Sequence, residues 1–336
     1  MRIVVAGTIV ADTIEHEHGG VTESLGGIAH TVAALSALAG DEHTIVPLCR
    51  VGEDCRERIE SWAGGLDGVS LDAVVRAHGP QPTVRLTYGD SGRPGERVER
   101  LQHTPEPLDV DDLDAAVGAD AVVVNCITGS DLTPAALRRL RRASPRRYMD
   151  VHSLALGTRA DGTRFYRGRD DWAAWLGFAD VLQCNLAEAA TMCGMAVGGA
   201  DGDGIIAAAE ALFATGFVPE EGRACVREAE PGNRGREGVP MPGVWLLTLG
   251  SAGAVLLSRR QGRATRAAIP APAVRATDPT GAGDAFGAGY VCAWLEGYEP
   301  REAAERAVIA GAAACIRPGA PEPATFRDAV DDLTGC

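Results

Sequence analysis

The chain of 336 residues contains no lysine, so its 32 basic side chains are all arginine. A Walker A phosphate loop, the strand lysine of protein kinases and a Schiff-base active site each require a lysine. The sequence therefore excludes all three kinds of site. A protein of this composition that handles phosphate has to use backbone N–H groups, arginine or a metal ion.

Other features are scarce as well. With a net charge of −14, the chain lacks the basic excess that nucleic acid attracts, so we expect no nucleic-acid partner. No apolar run reaches the roughly 20 residues that span a bilayer, and the N-terminus has no signal-peptide layout. We expect no membrane association and a cytoplasmic location. The nine cysteines form no Cys-x-x-Cys pair, which favours reduced, mostly buried thiols.

The most informative segment runs from Asp278 to Tyr290, with the sequence Asp-Pro-Thr-Gly-Ala-Gly-Asp-Ala-Phe-Gly-Ala-Gly-Tyr. Its glycine turn precedes an apolar run, Ala285 to Leu295, that predicts a buried helix. Converging N–H groups and the helix dipole favour an anion at such a turn. Asp284 would repel a stored phosphate, but it could take a proton from a hydroxyl that attacks one. The segment thus predicts phosphoryl transfer to an alcohol.

An ordinary turn in which Asp284 caps a helix is the simpler interpretation of the Gly-Ala-Gly-Asp part alone. Gly287 and Gly289 argue for more, because each glycine inside a helix costs about 1 kcal/mol relative to alanine. We therefore expect this helix to pack closely against a strand or a ligand.

Continuous apolar strands alternate with helical segments along the whole chain, which predicts one α/β domain over residues 1–336. Such strands are typical of a doubly wound, mainly parallel sheet with helices on both faces. Ligands bind beyond the carboxyl ends of strands in these sheets. The predicted strand ends carry Asn125, Asp150, Asn185 and Gly250, which indicates one site.

Three segments interrupt this alternation. Residues 13–25 and 83–102 are polar and alternate weakly, and we expect them to pair as a small antiparallel sheet that acts as a lid; two surface hairpins are the alternative. An exposed edge of that sheet favours a homodimer. Residues 218–243 are rich in Glu, Arg, Gly and Pro, which predicts a mobile insertion. His16 and His18 have the spacing of one strand face but no third metal ligand nearby.

The order of several motifs resembles the ribokinase/PfkB-type carbohydrate and nucleoside kinases over nearly the whole chain, which implies a ribokinase-like fold. Asp278 to Phe286 resembles the C-terminal signature of that family, and Gly26-Gly27 before an Ala-rich helix resembles the N-terminal one. Further matching segments are Val51-Gly52-Glu53-Asp54, Asn185-Leu186-Ala187-Glu188 and Thr248-Leu249-Gly250-Ser251-Ala252-Gly253-Ala254.

The resemblance implies that Asp284 is the general base and that the N–H groups of Gly281, Ala282 and Gly283 form an anion hole. It implies that ATP is the donor, with Asn185 and Glu188 near the phosphates. Glu188 would orient Mg²⁺ through water; an Asn185–Glu188 capping box is compatible with that role. The implied nucleotide-binding residues are Asn185, Glu188, Thr248, Gly250, Ser251 and Gly253.

On the acceptor side the resemblance implies that Asp12 binds substrate hydroxyls and that Gly26 and Gly27 allow close approach. Family members commonly carry asparagine where this chain has Val10 and Thr31, and Thr31 and His152 are candidate substrate contacts. His152 could equally be a packing residue. Asp278, Thr280 and the 317–320 turn resemble a monovalent-cation region, so K⁺ is a candidate cofactor.

The sequence therefore predicts an ATP-dependent phosphotransferase that acts on a hydroxyl of a sugar, a sugar derivative or a nucleoside. The alternative is a degenerate homologue that binds a small ligand and regulates without turnover. A nicotinamide-dependent dehydrogenase is disfavoured, because no Gly-x-Gly-x-x-Gly follows the first strand.

Overall fold

A computed structural model describes residues 1–15, 20–40, 42–88, 97–199, 201–215, 218–220, 223–225, 241–260, 262–316 and 323–335. The strands are β1 (Arg2–Gly7), β2 (Ile9–Glu15), β3 (Val21–Gly27), β4 (Thr44–Val51), β5 (Val74–Arg76), β6 (Thr83–Tyr88), β7 (Arg97–Gln102), β8 (Ala121–Asn125), β9 (Arg147–Asp150), β10 (Leu156–Thr158), β11 (Arg164–Tyr166), β12 (Val181–Asn185), β13 (Val218–Glu220), β14 (Arg223–Cys225), β15 (Val244–Thr248), β16 (Ala254–Arg260) and β17 (Arg263–Ile269). The helices are α1 (Ile28–Ala39), α2 (Arg56–Ala63), α3 (Pro134–Ala143), α4 (Trp172–Leu176), α5 (Leu186–Met192), α6 (Gly202–Thr215), α7 (Ala282–Leu295), α8 (Pro300–Ala314) and α9 (Pro323–Thr334).

The main sheet of the described chain has nine strands in the order β17-β16-β15-β12-β9-β8-β1-β4-β5. Neighbours from β15 to β5 pair in parallel, and the β15, β16 and β17 edge is antiparallel. The parallel strands are apolar on both faces; every residue of β8, for example, is buried. Such strands require cover on both sides, and the predicted doubly wound, mainly parallel sheet is confirmed.

Helices cover the two faces of this sheet with separate apolar cores. On one face, α1, α7, α8 and α9 bury residues such as Val32, Phe286 and Phe326. On the other face, α3 to α6 bury residues such as Leu137 and Phe213. The face of α3 that carries Arg138, Arg139, Arg141 and Arg142 is exposed.

Glycines in α7 permit the close packing that the sequence predicts. A Cβ on Gly287 would lie 3.1 Å from Gln183 Oε1 on β12, and one on Gly289 would lie 2.8 Å from the Ala310 Cβ on α8. A residue larger than glycine would therefore push α7 away from the sheet or from α8.

A smaller, separate sheet has the order β3-β2-β6-β7 and fits a lid. It contains the described parts of 13–25 and 83–102 and starts earlier, at Ile9. The expectation of an antiparallel sheet was wrong in one respect: β2 and β6 pair in parallel, so the sheet is mixed. The reason is that β2 and β6 are joined through α1 and the β4 and β5 region, a crossover long enough for parallel pairing. The boundaries of the lid as a unit stay a prediction.

Other sequence predictions fall partly outside the described residues. The 218–243 segment opens with the antiparallel pair β13 and β14, whereas residues 226–240, His16 and His18 lie outside the description. The cysteines whose side chains are described are free thiols, most of them buried: Cys49, Cys55, Cys126, Cys184, Cys193, Cys292 and Cys315. Within the described ranges, no helix combines the length and the apolar character that crossing a membrane requires.

Parallel pairing brings the predicted strand ends together at one edge of the main sheet. Asn125 lies beside Asp150 in the β8–β9 register, and Asp150 lies beside Gln183 in the β9–β12 register. Asn185 lies beside Thr248 in the β12–β15 register. The helix α7 begins above this edge, which positions a candidate site there.

Candidate active site

The glycine turn before α7 has the conformation that its sequence predicts. Gly281 has φ 77° and ψ 0°, in the left-handed region, and caps the N-terminus of α7. Side chains other than glycine adopt that conformation at a cost. Of the three predicted anion donors, Ala282 already donates its N–H to the oxygen of Pro279 at 3.1 Å. No hydrogen bond from the N–H of Gly281 or Gly283 is found among the described residues.

Asp284 lies in the first turn of α7, and two polar side chains from other elements hold its carboxylate. Thr31 Oγ1 donates to Asp284 Oδ1 at 2.5 Å, and Asn125 Nδ2 donates to the same oxygen at 2.9 Å. Asn125 Nδ2 also lies 3.3 Å from Thr31 Oγ1. Because both donors use Oδ1, Oδ2 is left for another group.

A cavity of about 300 Å³ opens in front of Asp284, and we call it the polar cavity. Ten of its lining residues were predicted as site residues from the sequence. They are Asp12, Gly27, His152, Asn185, Glu188, Thr248, Thr280, Gly281, Gly283 and Asp284.

Asp12 lies on β2 at the lid side of the polar cavity and is buried. A Cβ on Gly26 would lie 1.7 Å from Asp12 Oδ2, so the glycine at position 26 leaves room for the Asp12 carboxylate. Gly26 itself does not line the cavity, although the sequence predicts a substrate contact there. His30 on α1 also lies near Asp12, with Nε2 4.0 Å from Asp12 Oδ2.

A buried glutamine connects the strand ends with the α7 turn. Gln183 Nε2 donates to Asp150 Oδ2 at 2.9 Å and to the Gly283 oxygen at 3.0 Å, and Gln183 Oε1 accepts from the Tyr148 hydroxyl. The His152 N–H donates to Asp150 Oδ1 at 3.1 Å. Burial raises the pKa of Asp150 well above its usual range, and the negative charges of Glu188 and Asp284 add to that effect.

Asn185 and Glu188 form the capping box that the sequence predicts at the start of α5. Glu188 Oε2 accepts from the Asn185 N–H at 2.8 Å and Glu188 Oε1 accepts from Asn185 Nδ2 at 2.7 Å, while the Glu188 N–H donates to Asn185 Oδ1 at 3.0 Å. Burial raises the pKa of Glu188 to about 7, although the hydrogen bonds from Asn185 oppose the shift.

A second cavity, of about 510 Å³, lies on the other side of the α7 N-terminus, and we call it the apolar cleft. Thr248, Pro279 and Gly283 line both cavities, so the two meet at the glycine turn. The predicted nucleotide residues Gly250, Ser251 and Gly253 lie here. Most of the remaining lining is apolar: Ala271, Pro272, Ala273, Val274, Ala276, Phe286, Val308 and Ala312.

Two further predicted site residues, Thr31 and Asp278, line neither cavity. Thr31, expected to contact substrate, is buried and holds Asp284 instead. The Asp278 carboxylate accepts from the Thr280 N–H at 2.9 Å, and the 317–320 turn lies outside the described residues, so a K⁺ site stays a prediction.

The sequence placed Asn125 and Asp150 at strand ends of one site without giving them a role, and it did not identify His30 or Gln183; all four line the polar cavity. Asn125 and Asp150 were recognisable as polar strand ends. Gln183 is a polar residue within an apolar strand, which is the signal that could have found it. His30 gives a comparable signal, because it is a titratable residue within the largely apolar helix α1.

Comparison with known proteins agrees with this fold. Residues 240–326 match the pfkB family carbohydrate kinase model. The ribokinase from Giardia lamblia superposes with a TM-score of 0.71 at 19% identity, covering 99% of this chain and 98% of that one. No curated protein sequence matches the chain.

Two other solved structures are similar over the full length. The Arabidopsis thaliana ribokinase complexed with ribose and ATP gives a TM-score of 0.66 at 21% identity, covering 99% of this chain and 98% of that one. A pyrophosphate-dependent kinase in the ribokinase family, complexed with a pyrophosphate analog and myo-inositol, gives 0.70 at 14% identity, covering 99% and 100%. The fold is that of the ribokinase family, and the predicted resemblance to the ribokinase/PfkB type is confirmed.

Proposed function

We propose that the protein transfers the γ-phosphoryl group of ATP to a hydroxyl of a sugar, a sugar derivative or a nucleoside. The observation that carries the proposal is the position of Asp284. Its carboxylate is fixed through Oδ1 by Thr31 and Asn125 and lines the polar cavity, one residue after Gly283, which lines both the polar cavity and the apolar cleft. The polar cavity would hold the acceptor, and the apolar cleft would hold the donor.

In the proposed reaction, Asp284 Oδ2 accepts the proton of the acceptor hydroxyl. The hydroxyl oxygen bonds to the γ-phosphorus as the bond from that phosphorus to the β-phosphate oxygen breaks, which gives a phosphate monoester and ADP. The transition state requires mainly alignment and charge stabilisation. The N–H groups of Gly281 and Gly283, together with the α7 dipole, would supply part of that stabilisation.

The carboxylates around the polar cavity fit Mg²⁺ that arrives with the donor phosphates. Asp150, Glu188 and Asp284 line the cavity, and no arginine is among its lining residues in the described part of the chain. The Asp150 and Glu188 oxygens already accept hydrogen bonds, so these residues would orient a hydrated ion through water. Bound there, Mg²⁺ would neutralise phosphate charge.

The apolar cleft supports ATP over pyrophosphate as the donor. A purine ring has apolar faces that Val274, Phe286 and Val308 could cover, whereas pyrophosphate is charged throughout and has nothing to place there. A regulator without turnover would not need a carboxylate held beside an anion-binding turn, and no observation favours that alternative.

The experiment that tests this function measures phosphate transfer to D-ribose, myo-inositol and adenosine, with ATP and pyrophosphate as separate donors. We expect transfer from ATP and its near abolition in Asp284→Asn. Transfer that survives in Asp284→Asn at the wild-type rate would contradict the mechanism. Faster transfer from pyrophosphate than from ATP would contradict the donor assignment.

A further inference from the structure

The polar cavity contains buried polar atoms that no protein group satisfies. Both ring nitrogens of His30 and Oδ1 of Asn125 have no hydrogen-bond partner within the described chain. His30 is 5% exposed and Asn125 is 3% exposed, and both line the cavity. Buried polar atoms are nearly always hydrogen-bonded, because leaving them unsatisfied is costly. A ligand in the cavity could satisfy Nε2 of His30 and Oδ1 of Asn125.

The position of His30 defines where one group of that ligand would lie. Its Nε2 is 4.0 Å from Asp12 Oδ2, which is too long for a direct hydrogen bond. A hydroxyl oxygen at about 2.8 Å from each atom fits between them. It would accept from the Nε2–H of His30 and donate to the Asp12 carboxylate.

The orientation of the Asn125 amide is fixed by its other contacts. Nδ2 donates to Asp284 Oδ1 at 2.9 Å, and a flipped amide would instead place its oxygen against that carboxylate. Oδ1 is therefore the amide atom that remains, and it can accept a hydrogen bond only from a donor such as a hydroxyl. Because Asn125 also contacts Asp284, this hydroxyl would be the reacting one or its neighbour.

The charge of the cavity restricts the ligand further. Asp12, Glu99 and Asp284 line its acceptor side, no arginine is found in its described lining, and the walls include Val84, Leu86 and Ile127. A phosphate or carboxylate on the acceptor would be repelled by these carboxylates, and no arginine in the described lining would pair with it. An uncharged compound with hydroxyls on one side and carbon on the other fits this lining.

We propose that His30 and Asn125 bind the acceptor and that the acceptor is an uncharged polyhydroxy compound with at least two hydroxyls and no anionic group. The inference rests on the proposed phosphotransferase function and narrows its acceptor. His30 binds one hydroxyl together with Asp12, and Asn125 binds a hydroxyl beside the Asp284 carboxylate.

Calorimetric titration without ATP tests the inference independently of catalysis. The probes are D-ribose, myo-inositol and adenosine, with D-ribose 5-phosphate as the anionic counterpart of ribose. We expect at least one uncharged probe to bind, and ribose 5-phosphate to bind more weakly than ribose. Binding of none of the uncharged probes, or tighter binding of ribose 5-phosphate, would overturn the acceptor class.

Variants then test the two side chains. His30→Phe keeps the ring and removes both nitrogens, and Asn125→Leu keeps the approximate shape without the amide. Each should raise the Kd of the bound probe about tenfold or more, the effect of losing hydrogen bonds in a buried site. His30→Gln, which restores one hydrogen-bond donor, should recover part of the affinity. Its Kd provides a second test if His30→Phe folds poorly.

Ser36→Ala is the matched control, because Ser36 lies on the same helix and donates to the Asp67 oxygen away from the cavity. It should lose stability without losing probe affinity. Wild-type affinity in both His30 variants would overturn the role of His30. Normal binding without transfer from ATP would contradict the proposed function alone, whereas transfer with an unchanged acceptor KM in His30→Phe would contradict this inference alone.

Discussion

The polar cavity and the apolar cleft share the N-terminus of α7 but differ in what surrounds it. In the polar cavity, Asp284, Asp150 and Glu188 are each held by hydrogen bonds from other side chains or backbone. The apolar cleft offers mostly carbon surface, from segments 271–276 and the helices α7 and α8. A fixed charged group can discriminate between a ground state and a transition state, whereas an apolar wall binds both alike. We therefore expect substitutions in the polar cavity to change kcat or acceptor binding, and those in the apolar cleft to change donor KM.

The largest expected effect belongs to Asp284. Asp284→Asn keeps the shape and one oxygen but removes the base, so kcat should fall by about 10² to 10⁴, with ADP binding unchanged by calorimetry. Asp114→Asn is the control, because Asp114 pairs with Arg139 on the surface, and it should keep wild-type kcat. If Asp284→Asn changed only the donor KM and left kcat unchanged, the two cavities would not differ in the way that we expect.

Gly26→Ala should affect acceptor binding rather than the donor. The new Cβ would lie 1.7 Å from Asp12 Oδ2, so the Asp12 carboxylate has to move. The acceptor KM should rise by about 10- to 100-fold, as expected for loss of a charged hydrogen bond, with ATP KM unchanged. Gly79→Ala, where a Cβ meets nothing within 4 Å, should leave both constants unchanged. An acceptor KM that stays at the wild-type value in Gly26→Ala would show that Asp12 does not bind the acceptor.

The surroundings of Asp284 illustrate which features the sequence could and could not predict. The apolar run of β8 and the glycine turn before α7 are local signals, and both elements form where they were predicted. The contact of Asn125 with Asp284 joins residues 159 apart, and that of Gln183 with Gly283 joins residues 100 apart. Such contacts depend on sheet order and register, which hydrophobic periodicity does not encode. The same limit explains why the β2–β6 pairing was expected to be antiparallel.

The stability of the ligand-free protein should depend on pH through Glu188. Its pKa rises from 4.5 to about 7 on folding because of burial, so between these values the folded state binds more protons than the unfolded state. The stabilising contribution is therefore present below pH 4.5 and is lost as pH rises to about 7. Over this range the free energy of unfolding should fall by up to about 3 kcal/mol from this group.

Glu188→Gln removes the titrating group while keeping a hydrogen-bonding side chain of the same shape. Urea unfolding at a series of pH values between 4.5 and 7 should give a flatter dependence for Glu188→Gln than for the wild type. Equal slopes for the two proteins would show that Glu188 is ionised throughout, and the polar cavity would then be less desolvated than its burial indicates.

The smallest expected effect tests the apolar cleft. Ala276 lines the cleft and is exposed, whereas the neighbouring Arg275 is exposed and does not line it. Ala276→Trp should occupy space that the nucleobase needs and raise the KM for ATP about tenfold, a loss that corresponds to about 1.4 kcal/mol, while kcat at saturating ATP stays near wild type. Arg275→Trp adds the same ring one residue away and should leave donor KM unchanged. A wall that only contacts the base binds the ground state and the transition state equally, so kcat should not change. If Ala276→Trp instead lowers kcat, or if both variants behave alike, the cleft does not act as a separate donor site.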